Sequence, residues 1–242
     1  MNPHQIHVDG QYIIYDAERL QRPHVHLFDP AAIRSSGCWL GYPAGGRGSA
    51  GYISVEGIPA VLRRYRRGGL VAPLLGDRYV WLGLAKTRPW REWYMLAHLY
   101  AQDLPVSAPI AARVQPQGVF YRADIVVEKI DAATLAERLS RGGLPLEQWH
   151  EIGRAVGLLH RIGVDHADLN AHNILVYEDI GRGARIIDFD RAKIRSPRRR
   201  WQLRNLARLQ RSLRKLSRTV PGFVAPDHAA LEELLRGWSV GL

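Results

Sequence analysis

"HADLNAHNILV", His166–Val176, is the stretch on which the reading of this chain turns. Ile174, Leu175 and Val176 make the apolar run of a short strand. Just ahead of them stand Asp168 and Asn173, whose side chains compete with the backbone for hydrogen bonds and so resist helix and strand interiors. A polar loop anchored by a buried strand presents its oxygens at a fixed place, as a metal–phosphate site requires. His166 reads as a packing and hydrogen-bonding residue rather than a base, and the role of His172 stays open. Neither makes a zinc site, because no cysteine or third nearby ligand accompanies them.

Working outward, a second strand at 184–187 leads into Asp188-Phe189-Asp190. Upstream, in chain order, come Gly46-x-Gly48-x-x-Gly51, then Arg63 in Ala60-Val61-Leu62-Arg63, then Glu92 in the first turns of a helix. Magnesium-dependent phosphoryl transfer needs such parts: a glycine turn whose amides approach phosphates, a cation on the phosphates, an acid orienting that cation, a carboxylate near the acceptor hydroxyl, and oxygen ligands for the metal. The glycine motif lies between two strands, which disfavours both the dinucleotide fingerprint and a Walker loop. Arg63 stands where a V-A-I-K motif has lysine; arginine keeps its charge and can hold carboxylate and phosphate in bidentate fashion. Asp168 is positioned to orient the acceptor proton, and Asn173 and Asp188 to hold Mg²⁺. The bland readings are a structural hairpin turn, an exposed strand-edge arginine among Arg64, Arg66 and Arg67, and a solvated glutamate at a helix start.

The chain of 242 residues, 46% hydrophobic, suits one domain or a small two-lobed unit. Its 34 Lys+Arg against 23 Asp+Glu give a net charge of +11, which favours polyanionic partners: nucleic acid, an anionic membrane face or phosphorylated substrates. The single cysteine, Cys38, excludes an intrachain disulfide and reads as a small core residue in a reducing cytoplasm. The first residues are too polar for a signal peptide, and no run approaches the length of a membrane span.

The fold expected is α+β and two-lobed. A hairpin is read at residues 52–62 around Glu56-Gly57, and a helix from Pro89 to Leu104 that packs on it. Strands follow at 110–114 and 119–130, making an antiparallel sheet of about five strands with one helix. After Lys129 helices dominate, at 132–139 and 146–161, the latter closed by Gly163. The N-lobe is thus residues 1–130 and the C-lobe 131–242.

Two helices close the chain, at 200–217 and 227–238. No acidic residue occurs between Asp190 and Asp227. On the first of these helices Arg204, Arg208, Arg211, Lys215 and Arg218 share one face, with Leu206, Leu209, Leu213 and Leu216 opposite. At roughly 1 kcal/mol per basic residue, such a stripe adds several kcal/mol to residence on an anionic leaflet, and Arg204, Arg208, Arg211 and Lys215 could equally take the anionic groups of an acceptor.

The motif set resembles the protein-kinase-like superfamily. Four stretches, LRRYRRGGL (62–70), LPVSAPIAARV (104–114), DHADLNAHNIL (165–175) and DFDRAKIR (188–195), are similar to the 3-deoxy-D-manno-octulosonic acid (Kdo) kinases of lipopolysaccharide core assembly. In that family the arginine of the LRxYxRGG segment is the normal residue. The resemblance implies a two-lobed kinase fold with a reduced C-lobe, and transfer of the ATP γ-phosphoryl group to the 4-hydroxyl of Kdo on a lipid A precursor. Carried over, Asp168 is the catalytic aspartate and ATP the phosphoryl donor; beside this, the residues themselves give Arg63 and Glu92 as the supporting pair and Mg²⁺ as the metal, and the basic stripe gives an expected peripheral attachment to the cytoplasmic side of the inner membrane. Gly46, Gly48 and Gly51 are expected to cover the phosphates, and backbone groups from Glu128 to Ile130 to read the adenine. Only a short segment follows Asp190, with no A-P-E signature, which points to a small or glycolipid acceptor. A heptose kinase of the same core is the near alternative, and a nucleic-acid-binding module or a dead nucleotide-binding scaffold the distant ones. No nucleic-acid partner and no obligate protein partner is expected.

Overall fold

The computed structural model describes residues 1–43, 50–66 and 77–242, and Gly46 and Gly48 lie outside them. Two compact units result. The first comprises residues 1–101 and 108–129. In it β1 (Pro3–Val8), β2 (Gln11–Asp16), β3 (Trp39–Gly41), β4 (Ala50–Val55), β5 (Ile58–Arg64), β6 (Tyr79–Val80), β7 (Pro109–Gln117) and β8 (Phe120–Glu128) form one antiparallel sheet. The order is β1-β2-β7-β8-β5-β4-β3, with β6 also on β8. The sheet therefore exceeds the five strands expected. Its extra strands were hidden for a physical reason: β1 is an edge strand with mostly exposed side chains, and β3 and β6 are only three and two residues long. None of these carries an apolar period.

Glu56 and Gly57 turn with φ of 48° and 86°, the left-handed pair that a two-residue hairpin needs. The alternation of β4 and β5 then sends Ile53, Val55, Ala60 and Leu62 into a core with Ile13, Leu20, Phe28 and Ile33 from the N-terminal segment. Cys38 packs at the edge of this core. Helix α1 (Pro30–Ser35) is capped by the Asp29 side chain, which accepts from the Ala31 amide. Helix α2 (Arg88–Tyr100) buries Trp90, Trp93, Leu96 and Leu99 and lies on β7 and β8. The expected packing on the β4–β5 hairpin is reduced to the Arg63–Glu92 pair, and the helix lies mainly on β7 and β8 because these nine-residue strands carry the longest buried runs.

The second unit comprises residues 102–107 and 130–242. It holds β9 (Ala133–Thr134), α3 (Leu135–Arg141), α4 (Leu146–Arg161), β10 (Val164–Asp165), β11 (Ile174–Val176), β12 (Ala184–Ile186), β13 (Lys193–Ile194), α5 (Arg199–Thr219) and α6 (His228–Gly241). Thr134 and Glu137 close a reciprocal capping box at the start of α3. Helix α4 ends where Gly163 takes a φ of 88°. Helices α4 and α6 cross backbone to backbone: a Cβ on Gly153 would stand 2.7 Å from the Trp238 amide nitrogen, and one on Gly237 would overlap the His150 carbonyl. Among the described residues no helix is long and apolar enough to cross a membrane.

Candidate active site

In the first unit Arg63, near the end of β5, donates from Nη2 to both carboxylate oxygens of Glu92 on α2 at 2.5 Å. Glu92 is buried and the Arg63 side chain is 26% exposed, so the guanidinium satisfies a buried acid while remaining partly accessible. Tyr65 also donates its hydroxyl to Glu92, and the Arg63 guanidinium lies 5.0 Å from the centre of its ring. Tyr65, the tyrosine of the LRxYxRGG segment, has no role assigned by the sequence. Its spacing of two from Arg63 at a strand end was the available signal.

Gly51 lies in β4 beneath the Trp39 indole, which a Cβ there would overlap. Packing thus accounts for this glycine. At the far end of the sheet the amides of Glu128 and Lys129 donate to the carbonyls of Ala108 and Pro59 at 2.8 Å. Those two N–H groups are committed to the fold and are not available to read a nucleobase. The Ile130 carbonyl, in the second unit, accepts from the Ala132 amide at 3.0 Å.

In the second unit the β11–β12 ladder continues past its last strand pair, with the Ile187 amide donating to the Asn173 carbonyl at 3.0 Å. Asn173 and Asp188 are thereby brought to the same end of the hairpin. Asn173 donates from Nδ2 to the Asp168 carbonyl at 3.0 Å, and Asn170 donates to the same oxygen at 2.9 Å. Because the amide nitrogen of Asn173 is used, its Oδ1 is the atom left for a ligand. His166 donates from Nε2 to the Ile187 carbonyl at 3.0 Å and meets the Phe189 ring edge-on at 5.0 Å. Burial pushes its pKa down, so it is neutral and structural; His172 is exposed. Ala167 and Asp188 hold φ of 55° and 65°, the left-handed region that costs a non-glycine residue about 1–2 kcal/mol, and strain of this kind gathers at functional sites.

Asn173 Oδ1 and the Asp188 carboxylate are hard oxygen donors, and no group of three or more His, Cys, Asp or Glu suited to a metal occurs among the described residues. Two protein oxygens fit a Mg²⁺ that takes its other ligands from water and phosphate.

Helix α5 grips this loop. Asn205 donates from Nδ2 to Asp165 at 2.9 Å and accepts from the Ala167 amide at 3.1 Å. Ser212 accepts from the Ala171 amide at 3.2 Å. Arg204 and Arg195 both reach Asp165 Oδ2, at 2.9 and 3.3 Å. Arg208 Nη1 donates to Asp168 Oδ1 at 3.2 Å. The basic stripe therefore divides: all four side chains are exposed, but Arg204 and Arg208 pair with Asp165 and Asp168 of the loop, whereas Arg211 and Lys215 do not. Neither Asn205 nor Ser212 was anticipated. Asn205 falls beside Leu206 on the buried face of the helix, and that misplaced polar residue was the signal.

Comparison with known proteins places these clusters in context. The profile of the lipopolysaccharide kinase (Kdo/WaaP) family matches residues 34–233. A 3-deoxy-D-manno-octulosonic acid kinase of Xylella fastidiosa is 42% identical over 209 residues, covering 84% of this chain and 80% of its own length. One from Stenotrophomonas maltophilia is 45% identical over 207 residues with the same coverage. Among solved structures, WaaP in complex with acyl carrier protein aligns with a TM-score of 0.55 at 18% identity, over 91% of this chain and 88% of that one. An amicoumacin kinase in complex with AMP-PNP and Ca²⁺ aligns at 0.57 and 10% identity, over 88% and 78%. At these identities the likeness carries the kinase-like fold.

Proposed function

The chain belongs to the lipopolysaccharide kinase (Kdo/WaaP) family, and from that premise we propose that it transfers the γ-phosphoryl group of ATP to the 4-hydroxyl of Kdo on a lipid A precursor. The observation that carries this reading is the loop of the second unit, where Asp168, Asn173 and Asp188 are drawn together by the Asn173–Asp168 hydrogen bond and the Ile187–Asn173 ladder bond.

Asp168 is the catalytic aspartate. Its carboxylate is 39% exposed and orients the acceptor hydroxyl, whose oxygen forms the new bond to the γ-phosphorus as the bond to the β,γ-bridging oxygen breaks. The hydroxyl proton passes to Asp168 and on to solvent, and ADP leaves. Arg63, held by Glu92 and partly accessible, contributes its charge to the nucleotide phosphates. Asn173 Oδ1 and Asp188 are the residues that would hold Mg²⁺, which neutralises phosphate charge when bound. Arg211 and Lys215, exposed on an acid-free helix, support peripheral contact with an anionic cytoplasmic leaflet.

The test is transfer of label from ATP, with Mg²⁺, to a panel of Kdo-, heptose- and peptide-bearing acceptors. Label on the Kdo lipid alone is expected; label on heptose instead would replace the acceptor assignment. Asp168→Ala is expected to remove nearly all turnover and leave ATP affinity within a few fold.

A further inference from the structure

We infer that Arg208 recognises the carboxylate of an acid-sugar acceptor and sets its hydroxyl against Asp168. This deepens the proposed Kdo kinase reading and rests on it.

The guanidinium touches Asp168 through one bond only, Nη1 to Oδ1 at 3.2 Å. Among the described residues no other partner engages Arg208, so Nη2 and Nε remain unpaired donors along one edge of a planar fork. Asp168 keeps Oδ2 in the same condition. Both side chains are accessible, at 47% and 39% exposure. An exposed pair of this kind is worth little to stability, so it does not account for the arginine's placement.

That placement is nevertheless fixed. Asn205, three residues before Arg208, bonds the Ala167 amide, and Ser212, four residues after, bonds the Ala171 amide. These two bonds bracket Asp168 in the loop as they bracket Arg208 on the helix. The helix therefore delivers one guanidinium beside the catalytic carboxylate and leaves its second edge open. A carboxylate is the ligand that such an edge pairs with in bidentate geometry. A sugar acid bound there has its ring anchored on one side and a hydroxyl beside Asp168 Oδ2 on the other. A neutral sugar with the same hydroxyl leaves the edge unpaired and gains no such anchor, so the acid group becomes a condition for turnover.

The experiment compares the full-length enzyme with Arg208→Gln and Arg208→Lys on two acceptors, the Kdo lipid and the same lipid with its Kdo carboxylate as the methyl ester. For the unmodified enzyme kcat/KM is expected to fall roughly 30-fold on the ester. Arg208→Gln is expected to fall by a similar factor on the acid, mainly through acceptor KM, and to be nearly unchanged on the ester. ATP KM stays within about twofold, and Arg208→Lys recovers part of the loss. Equal losses for Arg208→Gln on both acceptors, or a rise in ATP KM instead, would show that the guanidinium serves the phosphoryl group or the loop and would overturn the inference. Equal use of acid and ester by the unmodified enzyme overturns it without any variant, which keeps the test decisive if Arg208→Gln does not fold. Transfer to neither Kdo acceptor sinks the Kdo kinase reading itself.

Discussion

Asn173 donates its side-chain amide to the backbone carbonyl of Asp168 at 3.0 Å, so the residue assigned to the metal also shapes the loop that carries the catalytic carboxylate. Asn173→Asp puts an anionic oxygen against that carbonyl in place of a donor. We expect at least a hundredfold loss of kcat and a Mg²⁺ activation curve displaced to higher concentration, with about 1 kcal/mol of stability lost, because the carbonyl keeps the Asn170 donor but loses one of its two hydrogen bonds. An activation curve that overlays that of the unmodified enzyme would remove Asn173 from the metal site.

Much of this was readable from residues 166–190, and the reason is local. Asp168, Asn173 and Asp188 sit beside short apolar strands whose pairing fixes them, so motif and fold are written in the same few residues. The hold of α5 on the loop was not readable, because it depends on contacts across about forty residues of chain. By spacing alone Arg204 and Arg208 belong with Arg211 and Lys215 to a membrane- or acceptor-facing stripe, and only the fold sets Asp165 and Asp168 against them. The N-terminal hairpin was missed for the opposite reason: its outer strand is held by backbone pairing, which leaves no hydrophobic period.

The Arg63–Glu92 pair predicts an asymmetry. Arg63→Ala removes the guanidinium that donates to both oxygens of the buried Glu92 carboxylate, at a cost of about 3–5 kcal/mol. Adding Glu92→Gln to Arg63→Ala should recover a large part of the melting temperature and none of the activity. Thermal unfolding alongside ATP KM separates the two, and a double variant no more stable than the single one would show that the carboxylate is not the source of the loss.

Arg211 and Lys215 carry the membrane-facing part of the proposal. Reversing both to Glu should raise apparent KM for the lipid acceptor in anionic vesicles by tenfold or more, since each charge contributes about 1 kcal/mol at such a surface. ATP KM should not follow. The difference should shrink as salt is raised, because exposed charges are screened over a Debye length of about 8 Å at physiological ionic strength; unchanged lipid kinetics in the variant would dispose of this contact.

His160 predicts a pH window. Burial pushes its pKa down to about 4, and Trp238 donates to its Nδ1 at 2.9 Å, a contact that requires this nitrogen to be unprotonated. The unfolded chain titrates near the ordinary value of 6.5. Above that, both states are neutral and the group has no effect on stability. As pH falls from 6.5 toward 4 the unfolded state takes up a proton that the folded state refuses, so stability declines by about 3 kcal/mol and then levels off. Burial lowers the pKa of His166 as well, which acts in the same direction. His160→Gln keeps an acceptor for Trp238 and removes one titration. Its unfolding free energy should change less between pH 7 and pH 5 than that of the unmodified protein, and an equal change would exonerate His160.

The crossing of α4 and α6 predicts where the second unit is least tolerant. At Gly237 an added methyl would overlap the His150 carbonyl, and at Gly157 the Trp238 carbonyl; in both cases the obstacle is backbone and cannot rotate away. The helices must separate by a fraction of a side chain to admit it, which strips contacts from the buried Trp149 and Trp238 alongside. Gly237→Ala and Gly157→Ala should each cost about 3 kcal/mol or more, at the upper end of overpacking penalties, although alanine is the better helix former. Gly142→Ala is the control, since its added methyl meets no atom within 4 Å and its backbone is extended. If the two helix-crossing variants unfold at the same temperature as this control, the helices are not in backbone contact, and the placement of α6 against α4 fails with it.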